Sequence, residues 1–309
     1  MSSNSTIALK VDVDTLRGTL EGVPALLSLF ERYGVKATFL FSMGPDHTGR
    51  ALKRIFRPGF LSKVGRTSVT SHYGLKTLLY GVLLPGPHIG QRAGHIMRQT
   101  ARAGHEVGIH CYDHVRWQDY VTKKDAAWTR KEMILAWTAF QQALDCKPTV
   151  IGAAGWQINA HTLALEDELG FHYASDVRGS SPFYPVMNGI SSQCLQIPTT
   201  LPTLDELIGL DDIDENNVHD VVFNASTKTL SHGHVYTLHA ELEGMRLLPV
   251  LERLLQMWQN RGDRIGTLQD TYSKLDNADL PTKLVVMREI PGRSGVLAME
   301  DQQDRSEYY

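Results

Sequence analysis

Short aliphatic runs recur along this chain, and most of them lead into a stretch with helical spacing. Ile7–Val13 reads as a buried strand, and Val23–Tyr33 as a helix that starts at Pro24 and stops at Gly34. Val35–Phe41 is a second strand, residues 88–103 a helix ended by Gly104, and Val107–Ile109 a short third strand. Ala126–Leu144 is a long amphipathic helix, followed by a strand at Thr149–Ile151. Asn159 is placed to cap a helix that runs to Leu169, with Gly170 as its stop. Phe171–Ala174, Cys194–Ile197 and His234–Leu238 are further strands, and Met245–Gln259 a further helix. Repeated strand-then-helix units imply a largely parallel sheet or barrel of the α/β class. A chain of 309 residues suits one such barrel.

Two segments break the rhythm. Residues 43–92 form a long basic and apolar insertion, with Arg50, Lys53, Arg54, Arg57, Lys63, Arg66, Lys76 and Arg92 against one acid, Asp46. Phe56, Phe60, Leu61, Leu75, Leu78, Leu79, Tyr80, Val82, Leu83 and Leu84 lie among or after those cations, a composition suited to an anionic membrane interface. Residues 271–309 are polar and weakly periodic, which predicts a disordered tail after a catalytic domain of residues 1–270. A net charge of −3 argues against a nucleic-acid binder. The three cysteines, Cys111, Cys146 and Cys194, fit no zinc ribbon or redox pair and read as reduced thiols. The N-terminal MSSNSTIALKVDVD lacks the pattern of a signal peptide, and no run approaches the ~18 apolar residues of a membrane span. A cytoplasmic protein with peripheral membrane contact is the expectation.

In α/β folds, ligands sit at the carboxyl ends of the strands. The first strand ends Val11-Asp12-Val13-Asp14, and a period of two puts both aspartates on one side. Two carboxylates pointing together repel, and a divalent cation offsets that cost. The third strand runs into Gly108-Ile109-His110-Cys111-Tyr112-Asp113-His114, where two histidines four apart share a face of one helical turn. Imidazole with carboxylate suits zinc and related divalent ions. His105, before that strand, is at its other end and reads as structural. The last strand ends Tyr236-Thr237-Leu238-His239, and a histidine in that position suits acid–base work. Ser175-Asp176-Val177-Arg178-Gly179 follows another strand and adds an acid and a base to the same rim.

Taken in order, these segments resemble the polysaccharide-deacetylase, or NodB-homology, family. Asp12 and Asp14 match its first motif in a spaced Asp-x-Asp form, and His110 and His114 its His-x-x-x-His. Gly152-Ala153-Ala154-Gly155-Trp156 stands where its Arg-x-Pro loop belongs, Asp176 where its fourth motif does, and Leu238-His239 matches its Leu-x-His. The resemblance covers about residues 7–268 and implies a distorted (β/α) barrel of about seven strands. Asp12–Thr19, Gly44-Pro45-Asp46, Ile197–Thr203 and His239–Gly244 are similar to those members that remove formyl from 4-deoxy-4-formamido-L-arabinose carried on undecaprenyl phosphate.

That resemblance implies a metal-dependent amide hydrolase with a lipid-linked aminosugar substrate. Its product would serve lipid A modification and resistance to polymyxin and other cationic peptides. It implies Asp14, His110 and His114 as ligands of Zn²⁺, or of Mn²⁺ or Co²⁺, with Asp12 as general base. His239 would protonate the leaving amine and Asp176 would orient His239. Tyr112 and Trp156 are the bulky residues expected around the acyl group, and Glu241 is expected to contact substrate. The third motif here has alanines in place of the family's arginine, so Arg178, or else Arg17, is the expected partner of the catalytic aspartate. The alternatives are an N-deacetylase of peptidoglycan or chitin fragments, and an inactive glycolipid-binding barrel.

Overall fold

The computed structural model describes residues 5–51, 75–276 and 279–301. Seven parallel strands curl into an incomplete barrel in the order β9 (His234–His239), β1 (Thr6–Val13), β2 (Thr38–Ser42), β3 (Glu106–Cys111), β4 (Val150–Ile151), β5 (Tyr173–Ala174) and β8 (Leu195–Gln196). A short parallel strand, β10 (Arg264–Gly266), lies beside the start of β1. Past β8 the chain turns back to the far edge, where the N–H groups of Thr200 and Leu201 both donate to the Val235 carbonyl of β9. The helices that cover the sheet include α1 (Val23–Tyr33), α2 (Ile89–Arg102), α4 (Ala126–Leu144), α5 (Ala160–Leu169) and α8 (Leu248–Arg261), with the short α3 (His114–Tyr120) after β3.

Strand alternation builds two cores. Ile7, Leu9, Val11 and Val13 of β1 face outward into the layer shared with the helices, beside Phe30, Phe39, Met97, Phe140 and Trp258. Ala8 faces the other way and joins Leu40, Val150, Tyr173, Leu195 and Val235 in a smaller apolar cluster. Lys10 and Asp12 continue that inward face, so the strand that carries the carboxylates is anchored on both sides.

The predicted disorder of the C-terminal segment does not hold for its described residues. β11 (Thr282–Glu289) and β12 (Val296–Glu300) form an antiparallel pair, and β11 runs parallel to β6 (Tyr184–Met187), which pairs with β7 (Ile190–Ser191). The reason is tertiary. Leu297, Ala298 and Met299 are buried, the Arg178 N–H donates to the Ala298 carbonyl, and Glu300 pairs with Lys283 at 2.7 Å. Residues 302–309 lie outside the described residues, as do Lys53, Arg54, Arg57, Lys63, Arg66, Phe56, Phe60 and Leu61 of the basic insertion.

His105 sits before β3, at the end of the barrel away from the carboxylates. Its Nδ1 accepts the Ala37 N–H at 3.1 Å, and its ring packs on Phe30 and Phe39. Burial, then the Lys36 ammonium, push its pKa down to about 4 from 6.5. The folded state therefore holds this ring neutral while the unfolded chain takes up a proton. Its contribution to stability is complete above pH 6.5 and is lost as pH falls towards about 4. His105→Gln should flatten the fall in the urea midpoint across that window. A variant whose midpoint falls as steeply as the parent's would remove His105 from the account.

Candidate metal centre and acid–base residues

Asp14, just past β1, lies between two imidazoles. His110 Nε2 is 3.3 Å from its Oδ1 and His114 Nε2 is 3.3 Å from its Oδ2. Among the described residues these three form a group able to hold a metal, with ligand atoms within 4.8 Å of one another. Several local features suit an ion. His110 Nδ1 is 2.7 Å from the Gly152 carbonyl, which can only accept, so Nδ1 carries the proton and Nε2 keeps its lone pair. Asp14 Oδ1 is buried and has no hydrogen-bond partner. Burial alone would push the Asp14 carboxyl up, but His114 and His110 outweigh it and hold it well below the usual range. His114 is the first residue of α3, whose N-cap Asp113 accepts the Arg116 N–H at 3.1 Å. His47, from the basic insertion, donates from Nδ1 to Asp113 at 2.6 Å and fixes that cap from the other side.

Asp12 and His239 are register partners on β1 and β9. The His239 N–H donates to Glu243 at 2.9 Å, and its Nδ1 is 3.9 Å from Asp205. Burial opposes a charge on this imidazole, yet Asp205, Asp14, Glu243 and Asp12 together push its pKa up to about 9. The acids around it thus favour the charged form of His239. Asp12 is held on one side: its Oδ2 is 3.5 Å from Lys10 Nζ, while its buried Oδ1 lacks a hydrogen-bond partner and faces His110 Nδ1 at 3.8 Å. A carboxylate between two imidazoles, with a second carboxylate and a third imidazole nearby, are the kinds of group that metal-assisted hydrolysis of an amide uses.

The polysaccharide deacetylase profile matches residues 2–174. The chain is 38% identical over 299 residues to a Shewanella sediminis protein, covering 94% of this chain and 93% of that one. It is 32% identical to a Wigglesworthia glossinidia brevipalpis protein, covering 92% and 99%. Both carry the name probable 4-deoxy-4-formamido-L-arabinose-phosphoundecaprenol deformylase ArnD. The chain belongs to the polysaccharide deacetylase family. Its fold is shared by a putative polysaccharide deacetylase from Mycobacterium smegmatis, with a TM-score of 0.61 at 17% identity over 94% of this chain and 97% of the other. It is also shared by the Bc1960 peptidoglycan N-acetylglucosamine deacetylase, with a TM-score of 0.52 at 16% identity over 89% and 91%.

Within this deacetylase fold, several residues stand elsewhere than the motifs predict. His110 and His114 do meet, with ring centroids 5.3 Å apart, but not on one helix: His110 ends a strand and His114 begins α3. Asp176 does not reach His239. It accepts the Ala153 N–H at 2.5 Å and a Gln196 amide proton at 2.9 Å, deep in the barrel wall, and Asp205 is the acid beside His239. Arg178 turns away from Asp12 to pair with Glu206 at 2.7 Å and donate to the Leu201 carbonyl. Arg17 pairs at the surface with Glu21. Trp156 is 1% exposed, covered by Leu297 and Met299 of the C-terminal strands, and so supports the site rather than touching substrate. Glu241, also buried, accepts the N–H groups of Asp14 and Thr15 and the Thr15 hydroxyl, which fixes the ligand loop. Gly18 makes that possible, because a Cβ there would fall 1.9 Å from Glu241 Oε1. Tyr112 alone of the predicted substrate contacts is partly exposed, with its hydroxyl 3.4 Å from His88.

Sequence reasoning missed Lys10, Asp205 and His47. Lys10 had a usable signal, since it shares the inward period of Asp12 and Asp14. Asp205 had none, because its place beside His239 depends on the return of the chain after β8. The arrangement predicts that His110→Ala and His114→Ala each lose bound divalent metal, measured by elemental analysis after dialysis, while both stay folded. One full equivalent retained in both variants would dismiss the site.

Proposed function

We propose that this chain hydrolyses the formamide of 4-deoxy-4-formamido-L-arabinose carried on undecaprenyl phosphate, releasing formate and the free 4-amino sugar. The observation that carries the reading is the match, along nearly the whole chain, to two relatives named for that reaction, and it is supported by an Asp-His-His group able to hold a metal. Asp14, His110 and His114 would hold the metal, with Zn²⁺ the best fit to two imidazoles and a carboxylate and Mn²⁺ or Co²⁺ also accepted. When bound, the ion supplies Lewis acidity to the amide carbonyl and to water. Asp12, through its free Oδ1, takes a proton from the water as its oxygen adds to the formyl carbon. His239, charged and flanked by Asp205, gives a proton to the nitrogen as the C–N bond breaks. Such acid–base help is worth roughly 10²–10⁴-fold. The amino-sugar lipid formed would serve lipid A modification and resistance to cationic peptides.

Substrate choice rests on the room beside the acyl carbon. Tyr112 is the bulky, partly exposed side chain next to the metal ligands in sequence, and it is our candidate for a wall that closes on hydrogen and crowds a methyl. The test is mass spectrometry of formamido and acetamido versions of one prenyl-phosphate-linked arabinose, incubated with protein and Zn²⁺. The formamide should be cleaved with the higher kcat/KM, and Tyr112→Ala should narrow the gap. Preference for the acetamide would refute the deformylase reading, and an unchanged ratio in Tyr112→Ala would remove the wall.

A lipid-linked substrate calls for contact with a membrane surface. No helix among the described residues is long and apolar enough to cross one. Val82, Leu83 and Leu84 stand out from a turn at 53%, 76% and 40% exposure, and Arg50 Nε donates to Gly81 in the same turn. We read this tip, on the cytoplasmic face of the membrane, as a peripheral anchor with cations for anionic headgroups. Flotation with anionic vesicles should carry the protein upward, less so at high salt. Leu83→Glu with Leu84→Glu should leave it at the bottom of the gradient. Flotation unaffected by salt and by both substitutions would exclude this anchor.

A further inference from the structure

Three observations converge on Lys10. The side chain is fully buried in the middle of β1, where an ammonium must find partners or lose its proton. It finds three: the Ser175 carbonyl at 2.9 Å, Asp12 Oδ2 at 3.5 Å, and the face of Trp156, 5.2 Å from the ring centroid. Burial works against its charge, while Asp12 and then Asp176 work for it.

The loop at the third motif is shaped around this side chain. A Cβ at Gly152 would lie 3.2 Å from Lys10 Cε and 2.4 Å from Leu40 Cδ1, so a side chain there would press on both. Ala153 and Ala154, at the place of the family's arginine, are both buried. The nearby arginine, Arg178, is taken by Glu206. Apart from the imidazoles of His110 and His239, the cation that the described residues bring to Asp12 is Lys10, and it comes from the aspartate's own strand.

We propose that Lys10 is the positioning residue for Asp12, holding Oδ2 so that Oδ1 alone points at the reacting water and the carboxylate stays off the metal. This rests on the reading of Asp12 as general base. The reason is geometric. Asp12 and Asp14 project from one face of one strand, and a divalent ion at Asp14 attracts both carboxylates. A carboxylate that binds the ion is a poor base. A fixed ammonium on the opposite side of Asp12 competes for it, and its single direction leaves one oxygen unpaired. Trp156 and Ser175 keep the ammonium from following Asp12 towards the ion. A positional change of this kind touches proton transfer and leaves substrate binding intact, so it should appear in kcat and not in KM.

The test compares Lys10→Met, Lys10→Arg, Asp12→Asn and the Lys10→Met/Asp12→Asn double variant. Each is assayed on the formamido-arabinose prenyl phosphate, with thermal unfolding and bound-metal analysis alongside. Lys10→Met should stay folded, keep its metal and lose kcat by roughly 10²-fold with little change in KM. Lys10→Arg, which keeps charge and donors, should recover most of that loss. The double variant should be no slower than Asp12→Asn, because Lys10 acts only through Asp12. In Co²⁺-loaded protein, the visible absorption of Lys10→Met should differ from the parent's as Asp12 joins the ion, and that of Asp12→Asn should not. Parental kcat in Lys10→Met, loss of metal from it, or an arginine variant as slow as the methionine one would each overturn the proposal. If Asp12→Asn itself turns over like the parent, the base assignment has failed. If only Lys10→Met does, the base stands and the tether has failed.

Discussion

Two carboxylates leave one strand on the same side, inside a barrel, two residues apart. Asp12 and Asp14 are both almost fully buried, and neither can be charged there without opposite charge close by. The architecture around them supplies it differently to each, with His110 near both. Asp14 receives two imidazoles, His110 from β3 and His114 from the start of α3. Asp12 receives the ammonium of Lys10. Two identical side chains thus meet different surroundings: one lies between nitrogen donors suited to an ion, and the other has Lys10 on one oxygen and no hydrogen-bond partner on the other.

Outer layers keep that separation in place. Glu241 clamps the backbone after Asp14, the Gly152 carbonyl sets the tautomer of His110, and the Asp113 cap with His47 fixes the first turn that carries His114. On the opposite rim, Glu243 accepts the His239 backbone N–H, and Asp205 and Glu243 favour a charged His239 ring. Asp205 adjoins Glu206, which binds both Arg178 and Arg293, and the guanidinium of Arg293 lies 4.5 Å from the centre of the Trp156 ring. The C-terminal segment therefore braces both the loop beside His239 and the aromatic ring against Lys10.

Much of this was legible in the sequence, and the reasons differ residue by residue. β1 announced itself because its outward face is wholly aliphatic and its inward face ends in two acids. His110, His114 and His239 stood out because ligands gather at strand ends in such folds, and the structure brings the first two to Asp14. The histidine pair was found with the wrong geometry, since a spacing of four fits one helix as well as a strand-to-helix junction. Asp176 and Arg178 sat on the right rim, but sequence could not tell that their side chains turn into the wall. The C-terminal strands were missed because their burial comes from distant partners, Arg178 and Trp156, and not from their own periodicity. Lys10 was passed over as an ordinary strand residue, although a lysine on the inward face of a buried strand always requires a partner.

The division of labour between the two aspartates is the central claim, and anomalous diffraction from crystals soaked in Zn²⁺ tests it directly. The account predicts one strong peak bonded to an Asp14 oxygen and to Nε2 of His110 and of His114, at about 2.0–2.2 Å. Asp12 should remain on Lys10, beyond bonding distance of the ion. A peak bonded to Asp12 with Asp14 displaced, or no peak between the two histidines, would contradict it.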